Sequence, residues 1–150
     1  MDYIKQCREL YDDKFKRIFG EPAGNTPNDI TNFEEYNAFK LPESYKQFLL
    51  WMGNDLKGVF QGSEWFLKNV EENTKYLDDF LYENEISLEH CGKPICFFSH
   101  QGYMSAWFYL PADQPDPKCY FFSEVNKEKT VIVYESFSSF LLHELNGVVL

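Results

Sequence analysis

The 150-residue chain has no apolar run long enough to cross a bilayer, no low-complexity tract and no internal repeat. It is also short of positive charge: 14 Lys and Arg stand against 24 Asp and Glu, a formal net charge of −10. Nucleic-acid binding is excluded by that balance, because phosphate contacts need Lys and Arg to displace counterions. Binding to anionic membranes is excluded on the same ground. The opening MDYIKQCREL lacks the apolar centre of a secretory signal. Cysteines are few and scattered, at Cys7, Cys91, Cys96 and Cys119, which predicts buried, unpaired thiols and a cytoplasmic protein.

The motifs that make an enzyme assignment specific are missing too. There is no G-x-S-x-G elbow, no Gly-rich phosphate loop and no H-E-x-x-H. His90, Cys91, Cys96 and His100 form the one cluster of metal-ligand types, spaced H-C-x4-C-x3-H. Zinc ligands normally arrive as close pairs from turns, whereas Cys96 and His100 fall along a predicted strand, so no metal or other cofactor is expected. His100, before Gln101-Gly102, is the best single candidate for a general acid or base. A histidine at a strand end more commonly satisfies a local hydrogen bond, and no catalytic residue is assigned. Neighbouring carboxylates such as Glu34-Glu35 or Asp78-Asp79 point in different directions on a helix and read as solvated faces.

What is abundant is apolar and aromatic: 44% of residues are hydrophobic and 19% aromatic, enough for the whole length to fold around one core. Ile4, Cys7, Tyr11, Phe15 and Ile18 recur at spacings of three and four, predicting a helix over residues 2–19 stopped by Gly20 and Pro22. Two Gly, two Pro and two Asn between Gly20 and Asp29 predict a loop. Thr31 with Glu34, or Asn32 with Glu35, has capping-box spacing for a short helix through Tyr36 to Phe39, closed by Leu41. Pro42 then starts a helix lined by Tyr45, Phe48, Leu49 and Met52 and ended by Gly53-Asn54. Asn69 with Glu72 predicts another cap, for a helix running to about Asn84 that buries Val70, Leu77 and Leu81.

After residue 94 the period changes. Ile95–Ser99, Tyr103–Leu110, Cys119–Ser123 and Thr130–Tyr134 are short aromatic and β-branched runs, read as an antiparallel meander with a four- to five-residue hairpin loop at Asn126–Lys129. Ser136 caps a last helix whose Phe137, Phe140, Leu141 and Leu145 face inward. Helices, then strands, then a helix make an α+β domain over residues 1–150, with an antiparallel-rich sheet packed against N-terminal and C-terminal helices.

Charge is unevenly spread. Between Asn69 and Glu89 seven carboxylates stand against one lysine, Lys75, so this stretch alone carries six of the ten net negative charges. On a helical projection Glu72, Tyr76, Asp79 and Glu83 fall opposite Val70, Leu77 and Leu81, so burying the apolar stripe exposes the acidic one. An ordinary solvated face is one reading. The sharper one is a surface for a basic protein partner, with Tyr76 as aromatic anchor.

Leu41-Pro42-Glu43-Ser44-Tyr45-Lys46-Gln47-Phe48-Leu49-Leu50, followed by Gly53-Asn54, resembles the LP-x-x-Y-K-x-F-L helix of the SUKH superfamily, which includes the Smi-Knr glucan-synthesis regulators. Ile95 to Tyr103 and Ser136 to Leu141 resemble a strand-and-turn and a closing helix of the same superfamily. The resemblance implies a non-enzymatic α+β domain. In bacteria such domains commonly serve as immunity proteins that bind and block a cognate toxin, often a nuclease; other relatives are adaptors of cell-wall or glucan synthesis. It implies a protein partner and carries no binding residue over to this sequence; the chain itself is expected to be a monomer or weak dimer.

Overall fold

The computed structural model describes residues 1–88 and 92–150. Among these, the elements run α1 (Lys5–Lys14), α2 (Lys16–Phe19), α3 (Pro27–Asn37), α4 (Glu43–Met52), α5 (Val70–Glu83), β1 (Lys93–His100), β2 (Met104–Leu110), β3 (Cys119–Ser123), β4 (Ile132–Tyr134) and α6 (Phe137–Asn146). The strands form one antiparallel sheet in the order β1-β2-β3-β4. This is the α+β meander that the sequence predicts.

Both faces of the sheet are covered, which is why its strands read as nearly continuous apolar runs. Side chains alternate along β2: Trp107 and Tyr109 meet Leu77, Phe80 and Leu81 of α5, while Ala106, Phe108 and Leu110 meet the other layer. That second layer is built by α1, α4 and α6, and its centre is aromatic. Phe97 lies within 6.0 Å, ring centre to ring centre, of Tyr45, Phe108, Phe137, Phe140 and Trp65. A register shift between Cys96 and Phe98 breaks the alternation in β1. Phe97 and Phe98 consequently both join the α4 and α6 side, and Cys96 joins the α5 side.

Several helix boundaries differ from the sequence expectation. The N-terminal helix starts at Lys5 and breaks at Phe15, leaving Ile18 54% exposed outside the buried stripe of Ile4, Cys7, Tyr11 and Phe15. The third helix begins at Pro27, earlier than the expected start. Thr26 accepts from the Asp29 N–H at 3.1 Å, the Asp29 carboxylate accepts from the Thr26 N–H at 3.0 Å, and Pro27 occupies the first helical position. The box uses Asp where Glu or Gln is usual. Ala38, in the left-handed region at φ 56°, ends this helix, so Phe39 lies beyond it.

Pro42 caps α4 from outside rather than being its first residue. Asn69 does not cap α5: its Oδ1 accepts from the Phe66 N–H at 3.3 Å inside a 3-10 turn, Leu67–Asn69, that leads into the helix. The connection from β3 to β4 spans residues 124–131, longer than the expected hairpin loop, with Thr130 and Val131 outside the ladder.

Candidate functional site

α5 is held to the sheet by Val70, Leu77, Phe80 and Leu81, all at most 1% exposed. At four points its polar atoms are fixed as well. Thr74 Oγ1 accepts from the Cys96 N–H at 3.0 Å, and Asn73 Nδ2 donates to the Glu64 carbonyl at 3.2 Å. Asn84 Nδ2 donates to Glu124 Oε1 at 2.9 Å, and Lys129 Nζ donates to Asn84 Oδ1 at 3.0 Å. With one side so anchored, Glu72, Tyr76, Asp79 and Glu83 all face solvent.

Lys75, the lone cation of the helix, pairs with Glu71 at 3.5 Å. Among the described residues Glu72, Asp79 and Glu83 make no ion pair. Tyr76 is 41% exposed; its ring stacks on Phe80 at 5.8 Å and its hydroxyl donates to the Gly102 carbonyl at 3.3 Å. Partial burial first, then the negative charge of Glu83, Glu124 and Asp79, holds its phenol above the usual tyrosine value. Those three carboxylates therefore share one electrostatic neighbourhood around the ring. Glu124 follows β3 and was not legible as part of this face from helix periodicity, because the sheet brings it there. Tyr82, 84% exposed beside Glu83, was also missed; an aromatic residue off the buried stripe was the available signal.

His100, the last residue of β1, faces Ser63 with Nδ1 and Oγ 2.6 Å apart, and Tyr103 stands edge-on at 5.4 Å. The Glu64–Ser99 bridge fixes the Ser63 segment against β1. The local hydrogen bond expected of a strand-end histidine is thus present. A hydroxyl beside an imidazole is also two-thirds of a nucleophilic constellation. Among the described residues no third side chain is hydrogen-bonded to this ring. A hollow of about 730 Å³ opens between the α3–α4 and β2–β3 connections, lined by Phe39, Leu41, Leu110, Pro111 and Pro115 with Lys40 and Lys93. It lies at the opposite end of β1 from His100, roughly 23 Å along the strand.

No group of three or more His, Cys, Asp and Glu side chains that could hold a metal occurs among the described residues. Of the H-C-x4-C-x3-H cluster, His90 and Cys91 lie outside the described residues. Cys96 is fully buried, with its thiol donating to the Phe98 carbonyl at 3.2 Å. Cys7, Cys96 and Cys119 are free thiols, as the sequence predicts for them. Among the described residues no helix is long and apolar enough to cross a membrane.

Residues 24–143 match the SMI1/KNR4 family (SUKH-1), a range that runs from the loop before α3 into α6 and contains the entire sheet. The chain belongs to the SMI1/KNR4 family. No curated protein matches the sequence. Within the SMI1/KNR4 match lie the α4 helix that carries the LP-x-x-Y-K-x-F-L pattern, α5 with its acidic face, and the Ser63–His100 pair. The family is one of immunity and regulatory domains, so a protein partner follows in general terms.

Proposed function

We propose that this SMI1/KNR4-family chain is a non-enzymatic, cytoplasmic protein-binding domain that neutralises a cognate basic toxin, such as a nuclease, by occluding it. The observation that carries the reading is the exposed acidic face of α5. Glu72, Tyr76, Asp79 and Glu83, joined by Glu124, project from a helix whose other side is pinned to the sheet by apolar contacts and hydrogen bonds. A rigid, negatively charged surface accelerates encounter with a basic partner and selects against acidic ones. Tyr76 and Tyr82 supply the aromatic contact area in which binding energy concentrates.

Like charges at these spacings repel one another, and an immunity protein has a use for them that a passive surface lacks. The same family match supports a second reading, a regulatory adaptor of cell-wall or glucan synthesis. Co-expression separates the two. The toxin reading predicts that the chain restores growth to cells expressing a toxin encoded beside its gene. Growth arrest that persists despite soluble chain, or a neighbourhood of envelope-synthesis genes without a toxin, favours the adaptor.

A further inference from the structure

Small molecules bind in hollows of several hundred Å³ whose walls are mostly apolar and carry a few placed polar groups. The hollow between the α3–α4 and β2–β3 connections, about 730 Å³, has that size and that make-up. Leu41 and Leu110, each 4% exposed, give it a floor continuous with the core. Above the floor stand the half-buried ring of Phe39 and the exposed rings of Pro111 and Pro115, flat surfaces that suit a flat apolar body.

The walls are fixed before any ligand arrives. On the α3–α4 side the Leu41 N–H donates to Glu34 Oε2 at 2.7 Å. The Ser44 N–H donates to the Pro115 carbonyl at 3.0 Å, which ties the β2–β3 connection to the first turn of α4. Next along that connection, Asp116 Oδ1 accepts from the Ser138 N–H at 3.0 Å and so fastens it to α6 as well. A preformed hollow spares a ligand the cost of ordering the chain around it.

Charge sets the sign of the ligand. Lys40 and Lys93 line the hollow, and neither makes an ion pair among the described residues. Lys93 Nζ stands 5.0 Å over the centre of the Phe39 ring, so a cation meets the apolar wall directly. Of the two carboxylates that line the hollow, Glu43 pairs with Lys46 at 2.7 Å, and Asp113 stands between this hollow and a smaller one that it shares with Lys118. Two unpaired lysines on an apolar concavity run against the net charge of −10 carried by the chain. We infer that this hollow binds a small organic anion, a flat apolar ring seated between Phe39 and the prolines with its carboxylate or sulfonate against Lys40 and Lys93. A neutral arene leaves both lysines unmatched, and a polyanion is repelled by the rest of the surface. None of the lining residues belongs to α5, so the site stands whether or not the acidic face binds a toxin.

Titration of the full chain with anilinonaphthalene sulfonate, an aromatic anion that fluoresces in apolar sites, tests the inference. One probe binds per folded chain, with a Kd on the order of 100 μM. Naphthoate displaces it at least about tenfold more effectively than neutral naphthalenemethanol does. Reversing Lys40 and Lys93 together to Glu weakens probe binding at least about tenfold. The same reversal at Lys75 and Lys127, neither of which lines the hollow, changes it by less than about threefold. Ala112→Trp, which fills the hollow from the β2–β3 side, abolishes binding, and thermal melting shows each variant folded. Absence of saturable binding, or equal losses from the two pairs of reversals, overturns the inference. Equal displacement by naphthoate and naphthalenemethanol overturns it too, as that is the behaviour of a groove for a neutral apolar segment.

Discussion

The hydroxyl of Tyr76 on α5 donates across 3.3 Å to the carbonyl of Gly102, in the turn that joins β1 to β2. Gln101 and Gly102 both have positive φ, 48° and 77°, the backbone that a tight β-hairpin turn with the sheet's own twist requires. The acidic helix and the sheet turn are therefore tied at one exposed point. Because Tyr76 is part-exposed, its single hydrogen bond contributes little to stability. Tyr76→Phe, which keeps the ring on Phe80, lowers unfolding free energy by about 1 kcal/mol or less in a denaturant titration. A loss of several kcal/mol would mean that the turn depends on this contact to form.

In the core the opposite sign is expected. Tyr45 is fully buried among Phe48, Phe97, Phe108 and Phe137, and its hydroxyl has no hydrogen-bond partner among the described residues. Burial drives its phenol far above the usual tyrosine value. Tyr45→Phe deletes an unpaired polar group without changing the ring packing, so the variant gains about 1 kcal/mol by chemical denaturation. A destabilised variant would show that the hydroxyl is satisfied in solution.

Cys7, Cys96 and Cys119 are buried, and burial sets the reactivity expected of their thiols. Burial, first among the causes, pushes Cys7 and Cys96 up to about 12 and Cys119 well above the usual thiol range. Thiolate is the reactive form, so in a Cys91→Ser background no thiol reacts with an aromatic disulfide reagent at about pH 8 while the chain is folded. Three react on unfolding. Rapid stoichiometric labelling of the native protein would contradict the burial of these three residues.

Glu144 gives a pH dependence. Burial raises its carboxyl above the usual carboxylate range, against the opposing pull of His143 and His100. The folded state thus holds this proton more tightly than the unfolded chain, and stability falls as pH rises from the ordinary carboxylate value through the folded one. Glu144→Gln removes that dependence. The stability difference, variant minus parent, moves in the variant's favour between about pH 4 and about pH 7. A difference that is flat or moves the other way would contradict a raised carboxyl.

Most of the architecture was legible because the sequence repeats one message at several levels. In α6, Ser136 is the cap, Phe137, Phe140, Leu141 and Leu145 are the buried stripe, and the structure has all of them in those roles. The strands were legible for the same reason, as aromatic and β-branched runs between turns. Errors arose where one signal competed with another. Gly, Pro and Asn before residue 29 read as loop and concealed the Thr26–Asp29 box. Ile18 fits the helical period, yet the break at Phe15 turns it outward. At the candidate site, periodicity was enough to place Glu72, Tyr76, Asp79 and Glu83 on one exposed side of α5. Glu124, Lys129 and Ser63 could not be found that way, because each reaches its neighbour only through sheet pairing or a long connection.

Association kinetics test the central claim most directly. Glu72, Asp79 and Glu83 are solvent-exposed and make no ion pair among the described residues, so reversing all three to Lys leaves the fold intact by circular dichroism. With the purified cognate partner at low ionic strength, the reversed chain associates at least about tenfold more slowly than the parent, and the gap narrows as salt screens the charges. An association rate that is the same for both chains at low salt would contradict the assignment of the α5 face as the binding surface.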